Sequence, residues 1–276
     1  MTGAPADLHP PVAFAGPGDG VAAPVRTAGR LRDRALSLLV LLAVWWIAAG
    51  LAASPQLMPS PGHVLATLLR LTRNGDLPVN TAITLARVGV AFVLAMMIGS
   101  GIGFLAGRSA RVNAAIDPWL IVSLNLPVLV VIVLAYIWIG LNELAAVLAV
   151  VIAKTPTVVV TVREGARALD PRLDEMAAVY RLPPLRRLRR VALPQLAPYL
   201  AAAGRSGLSI TWKIVLIVEL LGRPNGVGFE LNLQFQNFDV AGILAYGLSF
   251  AAIMLVAEAT LLQPWERRAN AWRRHA

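Results

Sequence analysis

Hydrophobic residues are gathered into long blocks along the chain, and short segments rich in charge, proline and glycine separate these blocks. A helix needs about 20 apolar residues to cross the hydrocarbon of a bilayer, and several blocks reach that length. The pattern therefore predicts an all-α fold, a polytopic transmembrane helix bundle with about six spanning helices. The predicted spans lie near residues 35–53, 79–106, 118–140, 143–163, 195–221 and 240–262.

Glycines recur along the second predicted span. Small residues at such spacing let a neighbouring helix approach closely in a membrane. The alternative interpretation is that single glycines face lipid. The glycines concerned are Gly89, Gly99, Gly101, Gly103 and Gly107.

The composition agrees with a membrane location. Of the 276 residues, 57% are hydrophobic and 14% are charged, and the mean hydropathy is +0.67. An average soluble domain has about 25% charged residues. The chain contains no cysteine and three histidines. Thiol chemistry is therefore excluded, and neither a histidine metal centre nor a cofactor is expected.

The net charge of +10 comes from arginines that flank the hydrophobic blocks. They form no basic stripe with interleaved aromatic residues, so nucleic acid is not expected as a partner. If the N-terminus lies inside, 18 of the 25 Lys and Arg residues fall in inner segments and 3 in outer segments. Because positively charged loops are retained in the cytoplasm, we expect a multi-pass protein of the bacterial inner membrane with both termini cytoplasmic.

The first 30 residues are rich in Pro, Gly and Ala and show little helical periodicity. Such a composition is typical of disorder, so residues 1–30 are interpreted as a cytoplasmic tail and residues 31–276 as the membrane domain. A cleaved signal peptide is the alternative. It fits poorly, because the first apolar block begins only near Ala35 and no clear small-residue cleavage site follows it.

The segment from Arg163 to Pro194 connects the fourth and fifth predicted spans and contains eight arginines. Asp170 is suited to cap a short helix that begins at Pro171 and ends near Tyr180. Two prolines then stop this helix, and a second short helix is predicted over residues 184–191.

The second short helix is expected to carry Leu185 and Leu188 on one side and arginines around the other. Two short helices with an apolar face and a basic rim are suited to docking into a groove on a soluble partner. The alternative is a basic loop that only sets the topology. The arginines are Arg186, Arg187, Arg189 and Arg190.

The end of this segment resembles the cytoplasmic EAA loop of ABC importer permeases. That pattern is Glu-Ala-Ala, three residues, Gly, about nine residues, an apolar residue, any residue and Leu-Pro. Met176 replaces the first Ala of the pattern. The matching positions are Glu175, Ala177, Val191, Leu193 and Pro194.

Arg181 occupies the position of the pattern's glycine. Glycine would allow a left-handed turn there, and arginine adopts that conformation only at a cost. An alternative break of the helix is supplied by Leu182, because a residue that precedes proline is pushed out of helical geometry.

The resemblance covers roughly residues 81–268 and includes Thr84 to Gly89 and Gly222 to Gly228. The most similar group is the nitrate, sulfonate and taurine permeases. The resemblance implies a type I ABC importer permease (MetI-like) architecture with a coupling loop at about 163–194. It also implies a second permease copy in a homodimer, two ABC ATP-binding subunits and a periplasmic substrate-binding protein. The implied ATPase-coupling residues are Glu175, Ala177, Ala178, Arg181, Leu185, Leu188, Leu193 and Pro194.

The chain contains no phosphate-binding Gly-x-x-x-x-Gly-Lys-Ser/Thr loop, so it is not expected to hydrolyse ATP. Closure of a partner ATPase dimer would pull the two copies of residues 171–191 together and shift the bundle between two packings. Glu175 would orient this hairpin or meet a basic group on the ATPase. A solvated surface carboxylate is the alternative.

Ionisable groups inside a span are costly and usually face protein, water or a pathway. Arg205, Trp212 and Lys213 fall near one face of the fifth span, and a cationic face favours an anionic substrate. Lys213 could instead pair with Glu219 or Glu258. The candidate pathway residues are Asn125, Lys154, Arg205, Trp212, Lys213 and Glu219.

Arg87 and Arg223 lie near the outer ends of their predicted spans. Extension of these side chains to the lipid headgroups explains them at least as well as contact with a substrate.

Two other classes of function are considered. An intramembrane enzyme would need a nucleophile with an activating base or a metal cluster, and the predicted spans hold neither His nor Cys. An ion-coupled secondary transporter or channel is the stronger alternative. The absence of a recognisable internal repeat and the docking-type loop count against it.

Overall fold

Helices form all of the regular secondary structure in the part of the chain that the computed structural model describes, residues 27–52, 54 and 56–264. This result confirms the all-α prediction. Two π-helical segments, Leu188–Ala192 and Glu258–Leu262, continue α8 and α11. In chain order the α-helices are α1 (Thr27–Ala52), α2 (Pro61–Arg73), α3 (Asp76–Arg108), α4 (Ala110–Asn125), α5 (Val128–Ile139), α6 (Glu143–Arg167), α7 (Pro171–Val179), α8 (Pro184–Arg187), α9 (Leu193–Gly222), α10 (Val227–Gln236) and α11 (Val240–Ala257).

Four helical stretches of the described chain are long and apolar enough to cross a membrane, and there are five if a bent pair of helices is counted as one span. The bent pair is α4 with α5. These five spans coincide with the last five predicted spans. The first predicted span lies on α1, whose described apolar part, Leu36–Ala52, is shorter. The four single stretches are Asp76–Arg108, Glu143–Arg167, Pro184–Gly222 and Val240–Thr260.

The chain divides into two compact units, one up to Ile47 and one from Ala48 onwards. The described part of the first unit is helix α1, whose apolar side chains, such as Leu39 and Trp46, are exposed. The predicted N-terminal tail falls on residues 1–26, outside the described residues, and on the first four residues of α1.

Helices α3 and α6 pack closely along their length because glycines of α3 face α6. A Cβ atom on Gly99 would lie 2.7 Å from the Cβ atom of Val158, and one on Gly107 would lie 2.5 Å from the Cβ atom of Ala166. Gly103 meets the backbone of α6 in the same way. The predicted close approach is thus found at three of the five glycines, while Gly89 and Gly101 have open space beside them.

Helix α6 lies at the centre of the second unit, with α3, α5 and α9 packed against it. The core on the side of α5 includes Val150 of α6, Ile132 of α5 and Val215 of α9, all fully buried. Because lipid tails are as apolar as these side chains, van der Waals packing rather than exclusion of water holds these helices together.

The third predicted span is broken into two helices. Helix α4 ends at Asn125 and α5 begins at Val128, and the two axes meet at 99°. Leu126 has an extended backbone because Pro127 follows it. The break falls at Asn125-Leu126-Pro127, where the sequence predicts an interruption of the span placed at 118–140.

Candidate functional site

The segment between the membrane spans α6 and α9 folds as a hairpin of two short helices, α7 and α8. The Asp170 side chain caps α7 by accepting a hydrogen bond from the Arg172 N–H at 2.9 Å, and Pro171 occupies the first helical position. The backbone N–H of Asp170 donates to Gln195 Oε1 of α9 at 2.9 Å. The start of the first short helix is therefore capped and tied to a membrane-spanning helix.

The turn after α7 is left-handed at Arg181, where φ is +47°. The N–H of Leu182 donates to the carbonyl of Ala177 at 2.9 Å, and the N–H of Arg181 donates to that of Ala178 at 2.9 Å. Arginine therefore adopts the turn that glycine permits without strain. The alternative, in which Leu182 before two prolines breaks the helix without a left-handed residue, is therefore not the one found.

Replacing Arg181 by glycine is expected to stabilise the hairpin by about 0.5–1 kcal/mol. The left-handed conformation costs a residue with a Cβ atom about 1–2 kcal/mol, and glycine avoids this cost. Part of the gain is lost, because glycine gives up more backbone entropy on folding. Hydrogen–deuterium exchange of the α7 and α8 amides would then slow. The control is Ala178→Gly, three residues earlier in a helical conformation, which should make the exchange faster. Equal or faster exchange in Arg181→Gly would contradict this account.

Asp174 links the hairpin to the end of α3. Its Oδ1 atom lies 3.1 Å from the Nε atom of Arg187, and its Oδ2 atom pairs with Arg108. The hydrogen bond from Arg187, supported by Arg108, holds the pKa of the Asp174 carboxyl below its ordinary value of 3.8. The carboxylate therefore remains charged at neutral pH and ties the hairpin to the end of α3.

The hairpin exposes several large apolar side chains. We call Met176, Val179, Tyr180 and Leu185 the docking surface. Val179 is 80% exposed, Tyr180 74% and Leu185 75%. Leu188 does not share this surface, because it packs against the buried residues Leu169 and Leu196. The prediction that Leu185 and Leu188 form one apolar face is therefore wrong.

The other predicted coupling residues differ in exposure. Glu175 and Ala178 are exposed on α7, whereas Ala177 is fully buried and holds α7 against its neighbours. Leu193 and Pro194 are exposed at the start of α9. Met176, Val179 and Tyr180 were missed as candidates for the docking surface. Their helical spacing of three and four residues from Met176 was the available signal.

A buried ionic cluster joins α3, α6 and α9 at the end of the bundle opposite the hairpin. Arg87 is its centre. Its Nη1 atom donates to Glu219 Oε1 at 2.7 Å and to the backbone carbonyl of Asn225 at 2.9 Å. Its Nε atom donates to Glu143 Oε2 at 2.9 Å. The side chain of Arg87 is 6% exposed and that of Glu219 is 0% exposed, so the pair is removed from both lipid and water.

Glu219 also fixes the glycine-rich turn that follows α9. Its Oε2 atom accepts hydrogen bonds from the Thr84 hydroxyl and from the N–H of Gly228, each at 2.9 Å. Gly226 has a φ of +105°, and a Cβ atom there would lie 2.5 Å from the Glu219 carboxyl carbon. The carboxylate of Glu219 therefore brings together two segments that the sequence analysis noted separately. They are the residues around Thr84 and the turn at 222–228.

Three predictions for these charged residues are corrected. Arg87 does not extend to the membrane surface but is buried in the cluster. Arg223 donates to Glu143 Oε1 at 2.6 Å and to the Leu141 carbonyl at 2.9 Å, so it too is held by the protein. Glu219 does not line a pathway, because it is fully buried and its carboxylate oxygens are bonded within the cluster. Glu143 was missed, although opposite charges at one end of neighbouring spans were the available signal.

The remaining candidate pathway residues lie at separate places. The Lys213 ammonium lies 5.6 Å from the ring centroid of Trp212, and neither Glu219 nor Glu258 pairs with it. Arg205 Nε lies 3.7 Å from Glu258 Oε1 instead. Trp212 and Lys213 line a cavity of about 190 Å³ between α9 and α11.

Asn125 and Lys154 both lie near the break between α4 and α5. Asn125 is exposed, and its side-chain amide donates to the Ile121 carbonyl at 2.8 Å. Lys154 is 3% exposed and lines a cavity of about 180 Å³ at the break. No group of three or more His, Cys, Asp or Glu residues able to hold a metal ion occurs among the described residues.

A bundle of long apolar helices with a charged hairpin between two of them defines a multi-pass membrane protein. The chain belongs to the family of binding-protein-dependent transport system inner membrane components, whose model matches residues 95–262. It is thus a permease subunit of an ABC importer. The family and the relatives are transport permeases and not enzymes.

Several curated relatives match most of the chain. It is 27% identical over 235 residues to the putative aliphatic sulfonates transport permease protein SsuC of Bacillus subtilis, covering 85% of each chain. It is 26% identical to the taurine transport system permease protein TauC of Escherichia coli, covering 86% of this chain and 88% of that one. The bicarbonate transport system permease protein CmpB of Synechococcus elongatus is 25% identical over 67% of this chain and 68% of its own.

Solved permease structures share the fold. An inward-facing structure of the MetNI methionine ABC transporter superposes with a TM-score of 0.60 at 16% identity, covering 72% of this chain and 97% of that one. An amino acid ABC transporter solved with histidines gives a TM-score of 0.59 at 20% identity, covering 73% of this chain and 97% of that one. The predicted type I permease architecture is confirmed.

Proposed function

We propose that this permease carries a small anion, such as a sulfonate, taurine or nitrate, and that a separate ATP-binding subunit drives it through the hairpin of α7 and α8. The observation that carries the coupling proposal is the docking surface. Its large apolar side chains are exposed, and Met176, Val179 and Tyr180 lie outside the candidate membrane spans. Such a surface on short helices is suited to a groove on a soluble partner.

The contacts of the hairpin support its role in coupling. Asp174 binds Arg108 at the end of α3, and the backbone of Asp170 binds Gln195 on α9. A displacement of the hairpin by the ATP-binding subunit would move the ends of two spanning helices together. Glu175 is exposed beside the docking surface and available to a basic group of the partner. The two packings of the bundle would then be inward-facing and outward-facing.

The charge distribution supports the orientation. The hairpin and its flanks hold eight of the chain's arginines, and arginine-rich segments stay in the cytoplasm. Both termini and the hairpin would therefore be cytoplasmic, and the ionic cluster around Arg87 would lie near the periplasmic end. There a periplasmic substrate-binding protein would deliver the substrate. A homodimer with one pathway between two copies of this chain completes the proposed assembly.

The anionic cargo is supported by two facts. Relatives that match most of the chain are named for aliphatic sulfonates and taurine, and another is named for bicarbonate. The cations inside the described spans include Lys154, which lines a cavity. An anion is the ligand that such a cation favours.

Uptake into reconstituted vesicles tests this function. Vesicles that contain the permease with its ATP-binding subunit and binding protein should accumulate labelled ethanesulfonate or taurine only when ATP is supplied to the ATP-binding subunit. A chain that moves these anions equally well along an ion gradient without the ATP-binding subunit would contradict the proposal.

A further inference from the structure

An unpartnered cation lies in the middle of the helix bundle. The Lys154 side chain on α6 is 3% exposed, and no residue of the described chain forms a hydrogen bond or an ion pair with its ammonium group. A buried charge without a partner inside a membrane span is costly and is retained where it has a function. All other buried charges of the described spans, Arg87 and Glu219, are paired.

The Lys154 side chain lines the cavity of about 180 Å³ at the break between α4 and α5. Gly207 of α9 makes room for it, since a Cβ atom there would lie 3.3 Å from the Cε atom of Lys154. Ser123, at the end of α4, brings a hydroxyl group to the same cavity. No carboxylate is among the lining residues of the cavity in the described chain.

The first turn of α5 supplies a second source of positive potential. Pro127 stands at the cap position and no side chain caps this helix end, so the N–H groups of Val128 and Leu129 have no acceptor within the helix, whereas that of Val130 donates to the Pro127 carbonyl at 3.0 Å. Val128, the first residue of α5, lines the cavity. The positive end of a helix dipole and free N–H groups favour an anion, and discontinuous helices in other membrane transporters present their N-termini to substrates in this way.

We propose that this cavity binds a short organic oxyanion of the alkanesulfonate kind, with its charged head between Lys154 and the first turn of α5. The inference rests on the proposed anionic cargo and gives it a site. Eight of the lining side chains are apolar, among them Ile152 and Ile210, and they suit a short hydrocarbon tail. At roughly 30 Å³ per water-sized volume, the cavity has room for about six water-sized groups.

The test measures binding of ³⁵S-labelled ethanesulfonate to the full chain in lipid nanodiscs by equilibrium dialysis. Saturable binding to the wild type is expected. Lys154→Met should weaken it by at least about tenfold, because it removes the charge that binds the head, and Lys154→Arg should retain part of it. Arg73→Met, which removes an exposed cation of α2, is the matched control and should bind as the wild type does. Unlabelled nitrate, which has no apolar tail, should compete more weakly than unlabelled ethanesulfonate.

Removal of an unpaired buried charge should leave the fold intact, so the Lys154→Met chain is expected to melt at the same temperature as the wild type or higher. No saturable binding to the wild type, or equal affinity in Lys154→Met, would overturn the inference. Nitrate that competes as well as ethanesulfonate would overturn the assignment of an organic anion. The assay contains no ATP-binding subunit, so its failure is distinguishable from a failure of the coupling proposal.

Discussion

A chain with Arg87 replaced by methionine is expected to be less stable than the wild type by about 3–5 kcal/mol, the loss that follows when one partner of a buried ion pair is removed. The variant leaves the carboxylate of Glu219 fully buried. Its remaining hydrogen bonds, from Thr84 and Gly228, do not compensate its charge. Thermal unfolding in detergent, followed by tryptophan fluorescence, measures this loss.

The double variant Arg87→Met/Glu219→Leu should recover most of this stability, because apolar side chains often replace a buried ion pair at little cost. The matched control is Arg167→Met. Its partner Glu164 and Arg167 itself are both about half exposed, so the change should cost at most about 1 kcal/mol. If the Arg87→Met chain melted at the same temperature as the wild type, the cluster would not hold α3 to α9.

The spanning helices could be predicted from the sequence because the bilayer thickness sets their length. The span placed at 79–106 is found at 76–108, and the one placed at 143–163 is found at 143–167. The angle of 99° between α4 and α5 could not be predicted. Proline excludes the helical conformation at Leu126, but the direction of the helix that follows is set by its packing against α6.

The ionic cluster around Arg87 could not be predicted from the sequence. Arg87 and Glu219 are 132 positions apart, and no local pattern shows that two such residues meet. The arginine alone was compatible with the membrane surface. Its position inside the bundle follows from the close packing of α3 against α6, which the glycines of α3 predict only in part.

The hairpin of α7 and α8 could be predicted from the sequence in part. Its helix start could be predicted because Asp170 and Pro171 act locally, through a side-chain cap and a fixed φ. The exposure of its leucines could not be predicted, because Leu188 is covered by Leu169 and Leu196 from other parts of the chain. The strained position was recognisable, since Arg181 stands where the resembled pattern has glycine.

Replacing Leu185 by aspartate is expected to weaken binding of the ATP-binding subunit by at least about tenfold, because a carboxylate without a partner would enter the apolar contact. Leu185 is 75% exposed and packs little within the chain, so its replacement should not unfold the permease. Leu188→Asp is the poorer test. It would place a charge against the buried cluster around Leu196 and so disturb folding and docking together.

The matched control for this change is Leu57→Asp. Leu57 is 76% exposed, close to the exposure of Leu185, but it lies in the turn before α2. Its replacement by aspartate should leave binding of the ATP-binding subunit unchanged. Glu175→Arg, beside the docking surface, should weaken binding if that carboxylate meets a basic group of the partner.

Co-purification in mild detergent tests the central claim most directly. The tagged permease is isolated together with its co-expressed ATP-binding subunit, and the amount of bound subunit is compared among the wild type, Leu185→Asp and Leu57→Asp. We expect the ATP-binding subunit to co-purify with the wild type and with Leu57→Asp. Little or none of it should co-purify with a folded Leu185→Asp chain. An equal amount of bound subunit on all three chains would contradict the assignment of the α7–α8 hairpin as the coupling site.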